Sequence, residues 1–180
     1  SGATENDGDI NFSSTINGNS AANSVDNLTI EAGDTTAAGS PTLTLSGAIG
    51  GSSPLDTLSI NASTSTMAFS VPQIGSGTAA GAGSSTASVS IGNANSGDIT
   101  FSTTNSAGNG SISYIFGGNT TITSGGGADG FKIGAGDTTF KNTGSTKSIS
   151  FATGGFTLGN DADLKIETNN GAISVSYTHL

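Results

Sequence analysis

Residues 97–101 read Gly97-Asp98-Ile99-Thr100-Phe101, and nearly the same word stands at Gly8-Asp9-Ile10-Asn11-Phe12. In both, two large apolar residues flank one polar residue. Successive side chains of a strand point to opposite faces, so such a triplet buries two neighbours on one side and leaves the middle residue outside. The spacing recurs along the chain. Among the 35 Ile, Leu, Val and Phe residues, twelve pairs stand two apart, against roughly seven expected from random placement. They are Ile10/Phe12, Leu28/Ile30, Leu43/Leu45, Leu58/Ile60, Phe69/Val71, Val89/Ile91, Ile99/Phe101, Phe131/Ile133, Ile149/Phe151, Phe156/Leu158, Leu164/Ile166 and Ile173/Val175. Adjacent pairs and pairs at helical separations of three and four are depleted, so the apolar residues follow a strand's period.

Between these triplets lie turn-formers. Gly, Ser, Thr and Asn together make up 100 of the 180 residues, and clusters such as 47–53, 75–85, 117–119 and 125–127 supply the backbone freedom and local side-chain bonds of tight turns. Strand starts recur at intervals of about 10, or about 15 to 20, residues, a rhythm that suits an all-β sandwich, barrel or solenoid. Internal echoes favour the solenoid. The 8–15 segment returns at 97–104, and Leu28-Thr29-Ile30-Glu31-Ala32-Gly33-Asp34 returns as Phe131-Lys132-Ile133-Gly134-Ala135-Gly136-Asp137. Such units suggest a repeat array in which each coil buries its apolar stripe against its neighbours. A coil of roughly 20 residues would give about nine coils. Asn17-Gly18 and Asn109-Gly110 leave room for local hairpins.

Charge and composition narrow the function. Four lysines, no arginine and 13 acidic residues give a formal net charge of −9. Without a basic patch there is nothing to displace counterions from phosphates, which argues against nucleic acid as a partner. The chain has no cysteine, which excludes a disulfide scaffold and thiol chemistry. No apolar run approaches the roughly 18 residues of a transmembrane helix.

The runs Gly8–Phe12, Leu28–Gly33 and Leu43-Thr44-Leu45-Ser46-Gly47-Ala48-Ile49-Gly50-Gly51, followed by Pro54-Leu55-Asp56-Thr57-Leu58-Ser59-Ile60, resemble the filamentous-haemagglutinin-type repeats of large bacterial surface and secreted proteins. The likeness is densest over Asp9–Ala62 and returns at Gly97–Phe101. It implies a right-handed parallel β-helix (solenoid), here a fragment of a longer repeat array, over 1–175 and open at both ends. It also implies an extracellular or bacterial cell-surface location, outer membrane-associated, as in autotransporter passengers. The expected role is that of a non-catalytic structural or adhesin segment for attachment or display, with no cofactor. Its partners would be host or neighbouring-cell surface glycans or proteins, and copies of itself through the open solenoid ends. The alternative is a carbohydrate-active β-helix protein whose catalytic coils lie outside this fragment. The ending Val175-Ser176-Tyr177-Thr178-His179-Leu180 resembles the read-through of a sequencing adaptor in a metagenomic fragment, so 176–180 is set apart as a non-native tail.

Three groups of residues invite a chemical reading. Asp129 and Asp137 lie in a glycine-rich stretch faintly like a calcium-binding β-roll, but Asp137 directly follows Gly136 and the nine-residue repeat does not continue, which favours solvated turn carboxylates. Asp161 and Asp163 share a strand face near Lys165 and Glu167, an arrangement open to cation binding or acid/base work. With no Arg, and the single His at His179, a solvated edge is the plainer account. The pairs Thr42/Thr44 and Thr121/Thr123 would form an outward hydroxyl ladder for ice or glycan if they belonged to a regular array; two pairs alone do not make one. No catalytic, cofactor-binding or metal residues are assigned.

Overall fold

The structure, a computed structural model, describes residues 10–19, 25–32, 42–62, 68–71, 73–76, 79–83, 88–93, 96–101, 111–125, 130–134, 136–159 and 162–177. Every element among them is a strand. The first coil holds β1 (Ile10–Phe12) and β2 (Asn27–Ala32), the second β3 (Thr42–Leu45) and β4 (Thr57–Ala62), and the third β5 (Ala68–Val71) and β6 (Ser88–Ile91). The later coils carry three strands each. The fourth has β7 (Ile99–Phe101), β8 (Ser111–Phe116) and β9 (Asn119–Thr123); the fifth has β10 (Gly130–Ile133), β11 (Gly136–Ser145) and β12 (Ile149–Thr153). The sixth has β13 (Gly155–Leu158), β14 (Ala162–Asn169) and β15 (Ile173–Tyr177).

These strands stack as a parallel β-solenoid, the architecture that the internal echoes favour over a sandwich or barrel. The first face runs β1-β3-β5-β7-β10-β13 and the third β2-β4-β6-β9-β12-β15, each six strands deep. The second face is β8-β11-β14, prolonged toward the first coil by single parallel bridges along Ile16, Ile49, Ile74 and Tyr114. Asn17-Gly18 closes no hairpin: the Gly18 N–H donates to the Ser53 carbonyl of the next coil at 3.0 Å. Asn109-Gly110 lies outside the described residues. Pairing in β15 continues to Tyr177, so the first two residues of the terminal pentapeptide pair with Ala152 and Thr153.

The expected coil of roughly 20 residues is too short. Register partners on the first face are Ile10, Leu43, Phe69, Ile99, Phe131 and Phe156, which stand 33, 26, 30, 32 and 25 residues apart. Six coils replace the expected nine, and they span about 24 Å from first rung to last at the usual strand spacing. The interval of about ten residues was the distance between faces, and three faces close one coil. The echoes divide accordingly. Residues 8–12 and 97–101 both lead into first-face strands, whereas Leu28–Ala32 is on the third face and Phe131–Ile133 on the first. The second echo is a strand-and-turn word used at two different corners.

Parallel register lines the apolar residues up in columns. On the third face Leu28, Leu58, Val89, Thr120, Ile149 and Ile173 form one inward column, and Ile30, Ile60, Ile91, Ile122, Phe151 and Val175 form the other. The core changes character along the stack. Its early coils are aliphatic, with Leu43, Leu45, Ile49, Leu58, Ile60 and Ile74 buried. From the fourth coil onward it is aromatic. Phe140 lies 4.8 Å from Phe101, 5.0 Å from Tyr114 and 5.1 Å from Phe151, centroid to centroid, in mostly edge-on geometries that suit the ring quadrupoles.

Polar clamps fix the corners. The buried Asn142 amide donates to the Gly118 carbonyl at 2.6 Å and its side-chain oxygen accepts from the Gly144 N–H, while the Asn119 side-chain oxygen accepts from the Ser148 N–H at 3.0 Å. Gly50 turns with φ at +65° against the Gly81 backbone, where a Cβ would run into the Gly81 carbonyl oxygen.

The core makes a paired prediction for urea unfolding. Phe140→Ala should cost about 3 to 5 kcal/mol, as large-to-small changes in tight cores do. Thr138→Val should instead raise stability by about 1 kcal/mol, because Thr138 holds a buried hydroxyl with no partner among the described residues. A neutral Phe140→Ala, or a Thr138→Val that destabilises, would contradict this core.

Candidate functional site

An outward-facing residue in a solenoid stacks on its counterpart in the next coil, so each face carries polar columns as well as apolar ones. On the third face the middle column is Thr29, Ser59, Ser90, Thr121, Ser150 and Ser174. All six are hydroxyl-bearing, and successive members repeat at about 4.8 Å. The first face carries Asn11, Thr44, Ser70, Thr100, Lys132 and Thr157 in the equivalent column. Its lysine is tied down, because the Lys132 ammonium pairs with the Asp98 carboxylate one coil earlier, and that carboxylate also accepts from the Gly130 N–H at 3.2 Å.

Strand charges concentrate on the second face. There Ser111, Asp137 and Asp163 stack, then Ser113, Thr139 and Lys165, then Ile115, Lys141 and Glu167. Glu167 lies between two ammonium groups, 2.6 Å from that of Lys165 and 3.8 Å from that of Lys141. The hydrogen bond from Lys165 holds its carboxyl below the usual carboxylate range, desolvation works against this, and the charges of Lys165 and Lys141 add to the lowering. These are exposed pairs, of the kind that contribute little to stability.

The structure brings together two acidic groups that the sequence kept apart. Asp137, from the glycine-rich stretch, is the register partner of Asp163, from the acidic cluster, and both are exposed. Asp129, Asp161 and His179 lie outside the described residues. Among the described residues no three acidic, imidazole or thiol side chains converge in a way that would hold a metal ion. Thr44 and Thr121 do belong to longer polar columns. The remaining members of the hydroxyl column (Thr29, Ser59, Ser90, Ser150 and Ser174) were missed, although a signal was present. Each is the middle residue of an apolar-x-apolar triplet, and only the coil register, which the sequence did not supply, shows that they stack.

An open cavity of about 650 Å³ lies where β14 turns toward β15, lined by Lys141, Asn142, Ile166, Glu167, Thr168 and Ile173 among others. Ile166 and Ile173 end two of the inward columns. The mouth is therefore a partly filled core.

The chain matches no protein-family model, no curated protein and no solved structure. No helix among the described residues is long and apolar enough to cross a membrane.

The lowered Glu167 pKa has a consequence with a definite sign. A carboxyl depressed in the folded state contributes stability that is present above its unfolded value and lost as pH falls through its folded value. Glu167→Gln should therefore lower the thermal midpoint at neutral pH, and the gap from the parent chain should close as the pH drops from about 7 to about 3. A gap independent of pH would show that the carboxylate's charge is not what matters.

Proposed function

We propose that the chain is a non-catalytic structural segment of a bacterial surface-exposed or secreted protein, an extracellular stalk or adhesin that serves attachment or display. The observation that carries this is the unbroken six-residue hydroxyl column on the third face, held at the strand repeat by parallel in-register pairing. Hydroxyls both donate and accept, so such a strip suits the hydroxyls and amides of glycans or of other proteins, directly or through water. The resemblance of the runs over Asp9–Ala62 to haemagglutinin-type repeats supports the same reading and is the ground for proposing an extracellular setting. The second face, where Glu167 is shared by Lys141 and Lys165 beside Asp137 and Asp163, is better suited to staying solvated than to meeting a partner.

A carbohydrate-active solenoid with its catalytic coils elsewhere is favoured by one feature only, the adjacent carboxylates of Asp137 and Asp163. In glycosidases of the usual kind, paired carboxylates flank the scissile bond with set separations; here they sit side by side on one exposed flat face.

Retention of the chain on an immobilised uncharged polysaccharide tests the proposal. Binding through hydroxyls should hardly change between about 0.05 M and about 0.5 M salt, since screening acts on charges. The double variant Thr121→Lys with Ser150→Lys should reduce it by about tenfold, the loss expected when a strip of matched hydrogen bonds is interrupted. Acidic polysaccharides should remain uncleaved. Retention unaffected by the double variant, or measurable turnover, would contradict the proposal.

A further inference from the structure

The three faces differ in charge. Among the described strands of the third face, Glu31 on the first rung is the single charged residue, in a chain whose formal net charge is −9. The hydroxyl column from Thr29 to Ser174 is flanked by Thr57, Ser88 and Asn119 on one side and by Asn61 and Thr123 on the other. Residues that share a face of one strand stand about 6.6 Å apart, and successive rungs about 4.8 Å. From the second coil onward the face is therefore a neutral grid of short side chains centred on hydroxyls.

The chemistry of this grid selects among partners. Hot spots of protein interfaces are built on Trp, Tyr and Arg; the chain has no Trp and no Arg, and none of these outward positions carries a Tyr. A small molecule needs a concave site, which short side chains on a strand face do not form. A polyanion needs cations, and the strands of this face supply none. What remains is a neutral partner that is itself extended and repeats its hydroxyls at a steady pitch. One hydroxyl contact contributes little, so binding has to come from many in a row. Only along the column are there six.

An extended β-1,4-linked pyranose chain has that form. Its sugars advance as a straight ribbon with hydroxyls along both edges, whereas α-1,4-linked chains coil and turn theirs away. We propose that the third face is a binding strip for an uncharged β-1,4-linked polysaccharide lying parallel to the solenoid axis, over the six rungs from Thr29 to Ser174. This rests on the attachment reading above and adds to it the linkage and the direction of the ligand. The length of sugar chain in contact is set by the column, about 24 Å.

Calorimetric titration of the intact chain with β-1,4-linked glucose oligomers of increasing length tests it. Affinity should rise by about threefold with each added sugar and level off once the oligomer is as long as the column. Thr121→Lys interrupts the fourth rung and leaves three successive hydroxyl residues, Thr29, Ser59 and Ser90, on its longer side. The levelling-off should then come at about half the parent's oligomer length. Thr44→Lys, on the first face, should leave the length profile unchanged, and α-1,4-linked glucose oligomers should gain nothing with length. If Thr121→Lys loses its strand spectrum in circular dichroism, Ser90→Lys takes its place, with Thr121, Ser150 and Ser174 as the longer side. No binding of the β-linked series, affinity independent of its length, a profile that Thr121→Lys does not shorten, or equal binding of the α-linked series would overturn the proposal. Where the chain is still retained on another uncharged polysaccharide, the attachment reading survives that result. A second copy of the chain on the strip would overturn the proposal too; it would show as a sedimenting mass above the 17.3 kDa of one chain that Thr121→Lys abolishes.

Discussion

Parallel in-register pairing between coils is the constraint on which everything else in this molecule depends. Once each strand lies beside its counterpart one coil away, every side chain sits on an equivalent side chain at the strand spacing. Apolar positions become continuous buried columns and the residues between them become continuous exterior strips. A core built this way is narrow, so a chain poor in large apolar residues can still line most of it, with Thr120, Thr138 and Asn142 filling inward positions. The pairing also explains why so many small residues are needed: a coil must turn three corners in about thirty residues, and at positions such as Gly50 a neighbouring backbone occupies the place of a side chain.

Much of this was legible before the structure. Of the twelve apolar-x-apolar pairs, eleven lie in the two six-stranded faces and the twelfth, Leu164/Ile166, lies in β14. Alternation identified the strands because burial on one side of a strand imposes it directly. The coil length was not legible, because local alternation is the same on every face and nothing in a strand's own sequence states which face it occupies. The echo between Leu28–Ala32 and Phe131–Ile133 joined strands from different faces for that reason. The second face escaped notice for another. Its inward residues include Tyr114, Thr138 and Asn142, which a count restricted to Ile, Leu, Val and Phe does not register.

The surface chemistry depends on the same missing register. Asp137 and Asp163 are 26 positions apart in the chain and adjacent in space, and the six hydroxyls of the third face are spread from Thr29 to Ser174. Neither grouping exists until the coils are aligned. Once they are, the exterior divides by chemistry, with the Glu167 ion pairs on β11 and β14, the Lys132–Asp98 pair on the first face and an uncharged hydroxyl strip on the third. Two unlike faces on one core can meet different surroundings, and each can be altered without disturbing the columns inside.

Spin-label distances along the hydroxyl column would measure the stack itself. The chain contains no cysteine, so Ser174→Cys can be combined in turn with Ser90→Cys, Ser59→Cys and Thr29→Cys, all on outward positions of one face. With in-register coils the mean distance should lengthen by about 4.8 Å at each step, from about 14 Å to about 24 Å between backbone positions. Distances that fail to increase in that order, or that jump by the width of a sheet packed face to face, would contradict the parallel stack and every column derived from it.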